Sequence, residues 1–115
     1  MAALKAGIEN TLTGMETVAR LKVAHKGEEP REYPISQGRI ILGRTGDNDL
    51  QIDSKYVSRH HAQIVTYGPD SVLEDLNSTN GIYVKGKRVK KHRLRDRDVF
   101  VIGEHELMYL KQGEA

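Results

Sequence analysis

The chain contains no cysteine and no tryptophan, and only 5% of its residues are aromatic. Without cysteine it can form neither disulfides nor thiolate metal sites, and it has no cysteine nucleophile. Its apolar runs are all shorter than the roughly 18–20 residues that a transmembrane helix needs. The first residues also lack the apolar core and the cleavage site of a signal peptide. These absences predict a soluble, cytoplasmic protein that contacts no membrane.

A strong excess of charge of either sign is also absent. Eighteen Lys and Arg residues stand against sixteen Asp and Glu residues, which leaves a formal charge of +2 over 115 residues. That balance neither requires nor excludes a nucleic acid or an acidic partner. With 37% hydrophobic residues the chain can bury one modest core, so we expect one compact domain. A domain this small is more typical of a binding module than of a complete enzyme.

The first 18 residues differ in character from the rest. They mix Ala, Lys and Glu with two glycines, Gly7 and Gly14. Because glycine weakens a helix, this segment is predicted to be a tail or at most a short helix over residues 2–10. We expect the folded domain to span residues 19–112 and a short tail to follow at residues 113–115.

From residue 19 onward, short runs with the alternation of β-strands are separated by turn residues. Turn signals recur at intervals of about 8–12 residues, which is typical of all-β domains. The predicted strands are residues 19–25, 31–35, 40–42, 50–52, 62–67, 72–76, 82–84, 88–89, 99–102 and 106–110, with turns at 68–71 and 85–87. The pattern predicts no helix here and leaves open a sandwich, an OB-type barrel or an SH3-like barrel.

Three loops next to predicted strands carry an unusual set of polar residues, at residues 43–49, 57–62 and 75–81. Loops at strand ends are where binding groups collect on a rigid sandwich. These loops offer arginine guanidinium groups, short hydroxyls and an amide, which suit a dianionic group presented on a polypeptide. Taken singly, each segment has a simpler explanation as a solvated strand end or a tight turn.

Taken in order, the three loops resemble the forkhead-associated (FHA) domain, a phosphothreonine-peptide-binding module. The family pattern is Gly-Arg, then Ser-Arg-x-His, then Ser-x-Asn-Gly, and it stands here at residues 43–44, 58–61 and 78–81. The likeness extends over roughly residues 19–110. It implies an all-β, two-sheet sandwich of about eleven short strands, of the FHA/SMAD-like type. We predict no catalytic residue, no metal and no cofactor.

The resemblance also implies a role for each matching residue. The expected phosphate-binding residues are Arg44, Ser58 and Thr79, the expected peptide-binding residues are Arg59 and Asn80, and the expected structural residues are Gly43, His61 and Gly81. The family selects phosphothreonine over phosphoserine through a small pocket for the threonine methyl. This chain departs from the family at Asn77, where many members have Gly, and at Ile82, where Thr is common. Both changes are expected to alter loop shape.

A small cluster of phosphate-binding residues is enough to bind a highly charged anion. Phosphothreonine carries about −1.5 to −2 charge at neutral pH and three acceptor oxygens. One arginine and two hydroxyls can satisfy these acceptors without a large net charge on the domain. The predicted function is therefore the recruitment of a partner that a Ser/Thr kinase has phosphorylated, in a signalling adaptor that performs no chemistry.

One alternative rests on residues 85–97, a basic segment in which Asp96 is the only acid. Such a segment could contact nucleic-acid phosphates or an acidic protein. It contains no aromatic side chain for base stacking, so nucleic acid is the less favoured partner.

A second alternative is an enzyme built on Ser58, His61 and Asp75. No Gly-x-Ser-x-Gly elbow supports it, and the five histidines, at positions 25, 60, 61, 92 and 105, show no metal-ligand spacing.

A third hypothesis is self-association. In it, phosphorylation of a threonine near the N-terminus, at position 11, 13 or 17, creates a ligand for the phosphopeptide site of the same chain or of a second copy.

Overall fold

Eleven β-strands and no helix make up residues 16–112, which are the residues that this computed structural model describes. In chain order they are β1 (Ala19–Ala24), β2 (Arg31–Ile35), β3 (Gly38–Gly43), β4 (Leu50–Gln51), β5 (Ala62–Tyr67), β6 (Asp70–Asp75), β7 (Ile82–Val84), β8 (Lys87–Val89), β9 (Lys91–Leu94), β10 (Asp98–Ile102) and β11 (His105–Lys111). Within this range no helix is long and apolar enough to cross a membrane. The segment considered for a short helix, two of the three tail threonines and residues 113–115 lie outside the described part.

The strands form two sheets. One has six strands in the order β2-β1-β11-β10-β7-β8, and the other has five in the order β4-β3-β5-β6-β9. All the strand pairs are antiparallel except β3–β4, which is parallel. The predicted two-sheet, all-β sandwich is confirmed, and the barrel alternatives are excluded.

Alternation of residue type explains how the sheets face each other. In β1, Ala19, Leu21 and Val23 are buried while Arg20 and Lys22 are exposed. Since successive side chains point to opposite faces of a strand, this register places one apolar row toward the other sheet. Similar rows from both sheets meet in one core, whose largest apolar members include Phe100 and Tyr109.

Strand β9 was not predicted. Its sequence, Lys91-His92-Arg93-Leu94, carries a single buried residue, Leu94, and so shows no apolar alternation. It lies at the edge of the five-stranded sheet, where charged side chains protect an open strand edge from pairing with other chains.

Two turns are tighter than predicted. The turn between β5 and β6 contains only Gly68 and Pro69, and the turn between β7 and β8 contains only Lys85 and Gly86. Lys85 and Gly86 both have positive φ, 51° and 80°, which suits the twist of a two-residue hairpin. The residue predicted to extend that turn, Lys87, pairs with Val84 instead.

A chain of buried hydroxyls joins the two sheets. Tyr109 in β11 donates a hydrogen bond to Ser71 Oγ in β6 over 2.7 Å, and the Thr66 hydroxyl in β5 lies 2.8 Å from the same oxygen. All three side chains are buried. Ser71 was predicted as part of a turn, but its pairing with Thr66 and its burial place it in the strand.

This chain of hydroxyls predicts unequal effects of two conservative substitutions. Tyr109→Phe removes one hydrogen bond and leaves Ser71 paired with Thr66, so it should lower the free energy of unfolding by about 1 kcal/mol. Ser71→Ala leaves two buried hydroxyls without their shared partner and should cost about 2–3 kcal/mol. Urea unfolding of both variants measures the difference. A larger effect for Tyr109→Phe would contradict the assignment of Ser71 as the shared partner.

Candidate functional site

The three polar loops meet at one end of the sandwich. The Arg44 N–H donates to the Ser58 carbonyl over 3.0 Å, which joins the loop after β3 to the loop before β5. The Thr79 N–H donates to Ser58 Oγ over 3.1 Å, and the Asn80 side chain donates to the Tyr56 carbonyl over 2.8 Å. These bonds join the loop between β6 and β7 to the loop before β5.

A cleft of about 360 Å³ lies between these loops. Its lining residues are Arg44, Lys55, Tyr56, Val57, Ser58, Arg59, Thr79 and Asn80. All five residues predicted to bind phosphate or peptide are therefore brought together. Three of the lining side chains are cationic and none is acidic, so the cleft presents positive charge although the whole chain is nearly neutral.

Arg44 is held in place at one side of the cleft. Its Nε donates to the Val57 carbonyl over 3.0 Å, and its backbone carbonyl accepts a bond from the Gln51 side chain over 3.0 Å. Within residues 16–112 the terminal guanidinium nitrogens make no hydrogen bond, so their N–H groups can point to a ligand. A guanidinium that is already oriented loses less side-chain freedom when it binds an anion.

The two hydroxyls are oriented by the backbone between them. Because Ser58 Oγ accepts a hydrogen bond from the Thr79 N–H, its own proton is left to donate elsewhere. The Thr79 hydroxyl has no hydrogen-bond partner within the described part of the chain. Both hydroxyls can therefore donate to one acceptor in the cleft.

Asn80 and Arg59 complete the lining. One amide N–H of Asn80 is used by the Tyr56 carbonyl, which fixes the side chain and leaves its oxygen and its second N–H for a ligand. The Arg59 side chain makes no hydrogen bond or ion pair within residues 16–112. Its backbone carbonyl accepts a bond from Asn48 over 2.7 Å, so the backbone is anchored while the side chain is free to move.

His61 lies beneath the cleft and is fully buried. Its Nδ1 accepts a hydrogen bond from the Ser58 N–H over 2.9 Å, and its Nε2 lies 2.8 Å from the Gly81 carbonyl. The first bond requires an unprotonated Nδ1, so the ring is neutral and its Nε2–H donates to Gly81. Burial is the main cause that lowers the pKa of His61, which favours the same neutral form.

Two glycines of the motifs allow close approach. A β-carbon at Gly43 would lie 2.0 Å from the Arg59 carbonyl oxygen, so only glycine fits between the first two loops. Gly81 has φ of +83°, and a β-carbon there would meet the Arg88 side chain. Asn77 also has positive φ, 63°, which asparagine tolerates better than most residues. Asn77 thus adopts a left-handed conformation at the position where many family members have Gly.

Several residues support the site in ways that were not predicted, among them Ser78, whose hydroxyl was expected to be a donor for the ligand. Ser78 is buried, donates to Asp75 and accepts from the Gly81 N–H, and so fixes the third loop from inside. Arg88 of the basic segment donates to the carbonyls of Ser78 and Thr79 over 3.3 and 3.4 Å. Lys55 also lines the cleft. In the sequence, only its position three residues before Ser58 indicated that it could belong to the site.

Asn48 is the supporting residue that was hardest to predict from the sequence. It is buried, and its amide donates to the carbonyls of Thr45 and Arg59 over 2.8 and 2.7 Å. Its oxygen lies 2.9 Å from His60 Nδ1. One asparagine thus joins the first two loops, but it stands in a run of Gly, Asp and Asn that is typical of any exposed turn.

The geometry does not assemble the hydrolase-like set. The Ser58 contact with His61 runs through the serine backbone N–H, and the other ring nitrogen of His61 faces Gly81. Asp75 bonds to Ser78 instead. Neither His61 nor Asp75 therefore makes a hydrogen bond to the Ser58 hydroxyl.

The basic segment is divided between the two sheets. It contributes β8 to an edge of the six-stranded sheet and β9 to an edge of the five-stranded sheet. Arg93 pairs with Asp70 over 2.7 Å, and His92 lies 3.0 Å from Asp98. Part of its charge is thus already neutralised within the domain.

The state of His61 predicts how stability depends on pH. The pKa of His61 in the folded protein is lowered from its ordinary value of 6.5. As the pH decreases below 6.5, His61 is therefore protonated in the unfolded chain before it is protonated in the folded one, and the free energy of unfolding decreases. His61→Asn removes this group, and its free energy of unfolding should depend less on pH between neutral and mildly acidic conditions. Urea unfolding across that range provides the measurement. Parallel pH profiles for the two proteins would contradict the neutral assignment.

Comparison with known proteins places this geometry in a family. The family description "FHA domain" matches residues 40–103. The transcriptional regulatory protein EmbR of Mycobacterium tuberculosis is 39% identical over 98 residues, which cover 84% of this chain and 24% of EmbR. The glycogen accumulation regulator GarA of the same organism is 31% identical, with 98% of this chain and 74% of GarA covered. This chain thus spans about a quarter of EmbR.

Solved structures agree. A structure from an analysis of phosphothreonine-dependent FHA domain interactions has a TM-score of 0.78 and 32% identity, and covers 85% of this chain and 100% of its own. The structure of EmbR with a low-affinity phosphopeptide has a TM-score of 0.76 and 34% identity over 98% of this chain and 31% of EmbR. Family match, relatives and fold lead to one conclusion: this chain belongs to the FHA domain family.

Proposed function

We propose that this domain binds phosphothreonine-containing proteins in the cleft between its three loops. The observation that carries the proposal is the convergence of three free donors, from Arg44, Ser58 and Thr79, in a cleft that no acid lines. The related FHA structures, one concerned with phosphothreonine-dependent interactions and one containing a phosphopeptide, support the same class of ligand.

The phosphate is the part of the ligand that these donors suit. A phosphate oxygen accepts charge-assisted bonds from a guanidinium, and short hydroxyls satisfy the remaining acceptors. Arg44 supplies charge from one side of the cleft, and Ser58 and Thr79 supply hydroxyl protons. Because the backbone already orients Arg44 and Ser58, little rearrangement is needed on binding.

The peptide backbone is assigned to the residues at the rim. The fixed amide of Asn80 offers a donor and an acceptor, which match a peptide main chain. Arg59 has a free side chain on an anchored backbone and can follow the residues beside the phosphothreonine.

We propose further that residues 19–112 form the functional unit and that it acts in the cytoplasm, where kinases generate such ligands. The strand pairing at the ends of the unit supports its extent, because Ala19 at the start of β1 lies opposite Ile35 of β2 and opposite Lys111 of β11. The partner would then be a protein phosphorylated by a Ser/Thr kinase.

Substitution of the phosphate donors tests this function. Arg44→Ala and Ser58→Ala each remove a contact to a charged group worth about 1.5–3 kcal/mol, so the dissociation constant for a phosphothreonine peptide pool should rise about 10- to 150-fold. Calorimetric titration of a degenerate phosphothreonine peptide library measures the change. Circular dichroism and the melting temperature establish that each variant remains folded.

Arg95→Ala is the matched control. It removes an exposed arginine of the basic segment that does not line the cleft, and it should leave peptide affinity unchanged. If Arg95→Ala weakened binding and Arg44→Ala did not, the basic segment rather than the cleft would be the binding surface.

A further inference from the structure

A pair of histidines lies at the corner where β1 ends and β11 begins. His25 follows β1 directly, and His105 is the first residue of β11. Because β1 and β11 are antiparallel with Ala24 opposite Glu106, residues far apart in sequence become neighbours. The two rings are stacked, with their centroids 4.2 Å apart and their planes 12° apart. Sequence spacing could not indicate this pair.

Each ring carries a buried nitrogen, Nδ1 of His25 and Nδ1 of His105, that makes no hydrogen bond within residues 16–112. His105 is only 7% exposed. Buried polar atoms are nearly always paired in folded proteins, so two unpaired imidazole nitrogens at one place indicate a missing ligand.

Two carboxylates surround the pair. His25 Nδ1 lies 3.3 Å from Glu28 Oε2, close enough for an ion pair but without the alignment of a hydrogen bond, and His25 Nε2 lies 3.5 Å from Glu104 Oε1. Ligand atoms of His25, Glu28 and His105 all lie within 4.8 Å of one another. Two imidazoles and a carboxylate form a donor set that suits zinc and other divalent transition metals better than magnesium or calcium.

We propose that this corner is a binding site for a divalent transition metal, with zinc as the ion that fits best. His25 and His105 bind the metal through Nδ1, and Glu28 supplies a carboxylate oxygen. Glu104 holds the remaining N–H of His25, an arrangement that orients metal-binding histidines in many proteins. With three protein ligands, the fourth tetrahedral position is left to water.

Metal binding requires a modest local contraction. At zinc–ligand distances of about 2.0–2.2 Å, two ligand atoms of a tetrahedral site lie about 3.3 Å apart. The imidazole rings must turn about χ2 from their stacked arrangement, and this torsion is soft. The Glu28 side chain is 64% exposed and sits in the turn after β1, so it is free to close the site.

This site shares no residue with the phosphopeptide cleft, so the two proposals can fail independently. It lies close to the cleft, however. A β-carbon at Gly103, in the turn before β11, would lie 2.9 Å from Val57 Cγ2 and 3.4 Å from Tyr56 Cβ. The turn that carries Glu104 therefore packs directly on the loop that lines the cleft.

Calorimetric titration of zinc chloride into the tag-free chain, in a non-coordinating buffer at neutral pH, tests the proposal. Wild-type protein should bind one equivalent. Loss of an outer partner of a metal ligand commonly weakens binding 10- to 100-fold, so loss of a ligand in His25→Ala or Glu28→Gln should weaken it at least tenfold. His92→Ala is the matched control, because His92 also faces a carboxylate, Asp98, but no second histidine.

Histidine NMR signals give a readout that needs no variant. Zinc should shift the imidazole resonances of His25 and His105 and leave that of His92 unchanged. The proposal is overturned if the wild type binds zinc no better than His25→Ala and Glu28→Gln do, or if the two imidazoles do not respond. Should His25→Ala fail to fold, Glu28→Gln and the NMR titration still decide the question, since Glu28 is an exposed turn residue.

Discussion

His61 joins two of the three binding loops through a single neutral imidazole, and the shape of the cleft depends on it. One ring nitrogen accepts a hydrogen bond from the Ser58 backbone and the other donates to Gly81. Because the ring is fully buried, water cannot replace either bond. The Ser58 hydroxyl in turn accepts from the Thr79 N–H. The positions of Ser58 and Thr79 therefore depend on that one ring, and the Arg44 N–H joins the first loop to them through the Ser58 carbonyl.

Further contacts hold the three loops in the same arrangement. Asn48 joins the first loop to the second, and Gly43 allows their backbones to approach more closely than any side chain would permit. Arg88 holds the third loop by its carbonyls. These contacts explain how a chain with a net charge of only +2 can present a strongly positive cleft. The charge is concentrated by folding, on loops fixed by a rigid sandwich, and is not a property of the composition.

Alternating apolar residues, in strands such as β1 and β5, predict the all-β class but leave the choice between a sandwich and a barrel open. The sandwich and the residues that line the cleft follow from the resemblance of the three motifs to the FHA family. Features that depend on contacts distant in sequence could not be predicted in either way. β9 lacks an apolar pattern because it is an edge strand, and the hydrogen bonds of Asn48 and Arg88 arise only after folding. The stacking of His25 on His105 depends on strand register in the same way.

The central claim is that one cleft recognises the phosphate of a phosphothreonine. Its most direct test is an NMR titration of the isotope-labelled chain with two peptides that differ only in phosphorylation of a single threonine. The account predicts that the phosphorylated peptide alone shifts backbone amide signals, and that the shifts concentrate in residues 43–49, 57–62 and 75–81. Equal binding of the two peptides, or shifts confined to residues 85–97, would contradict it.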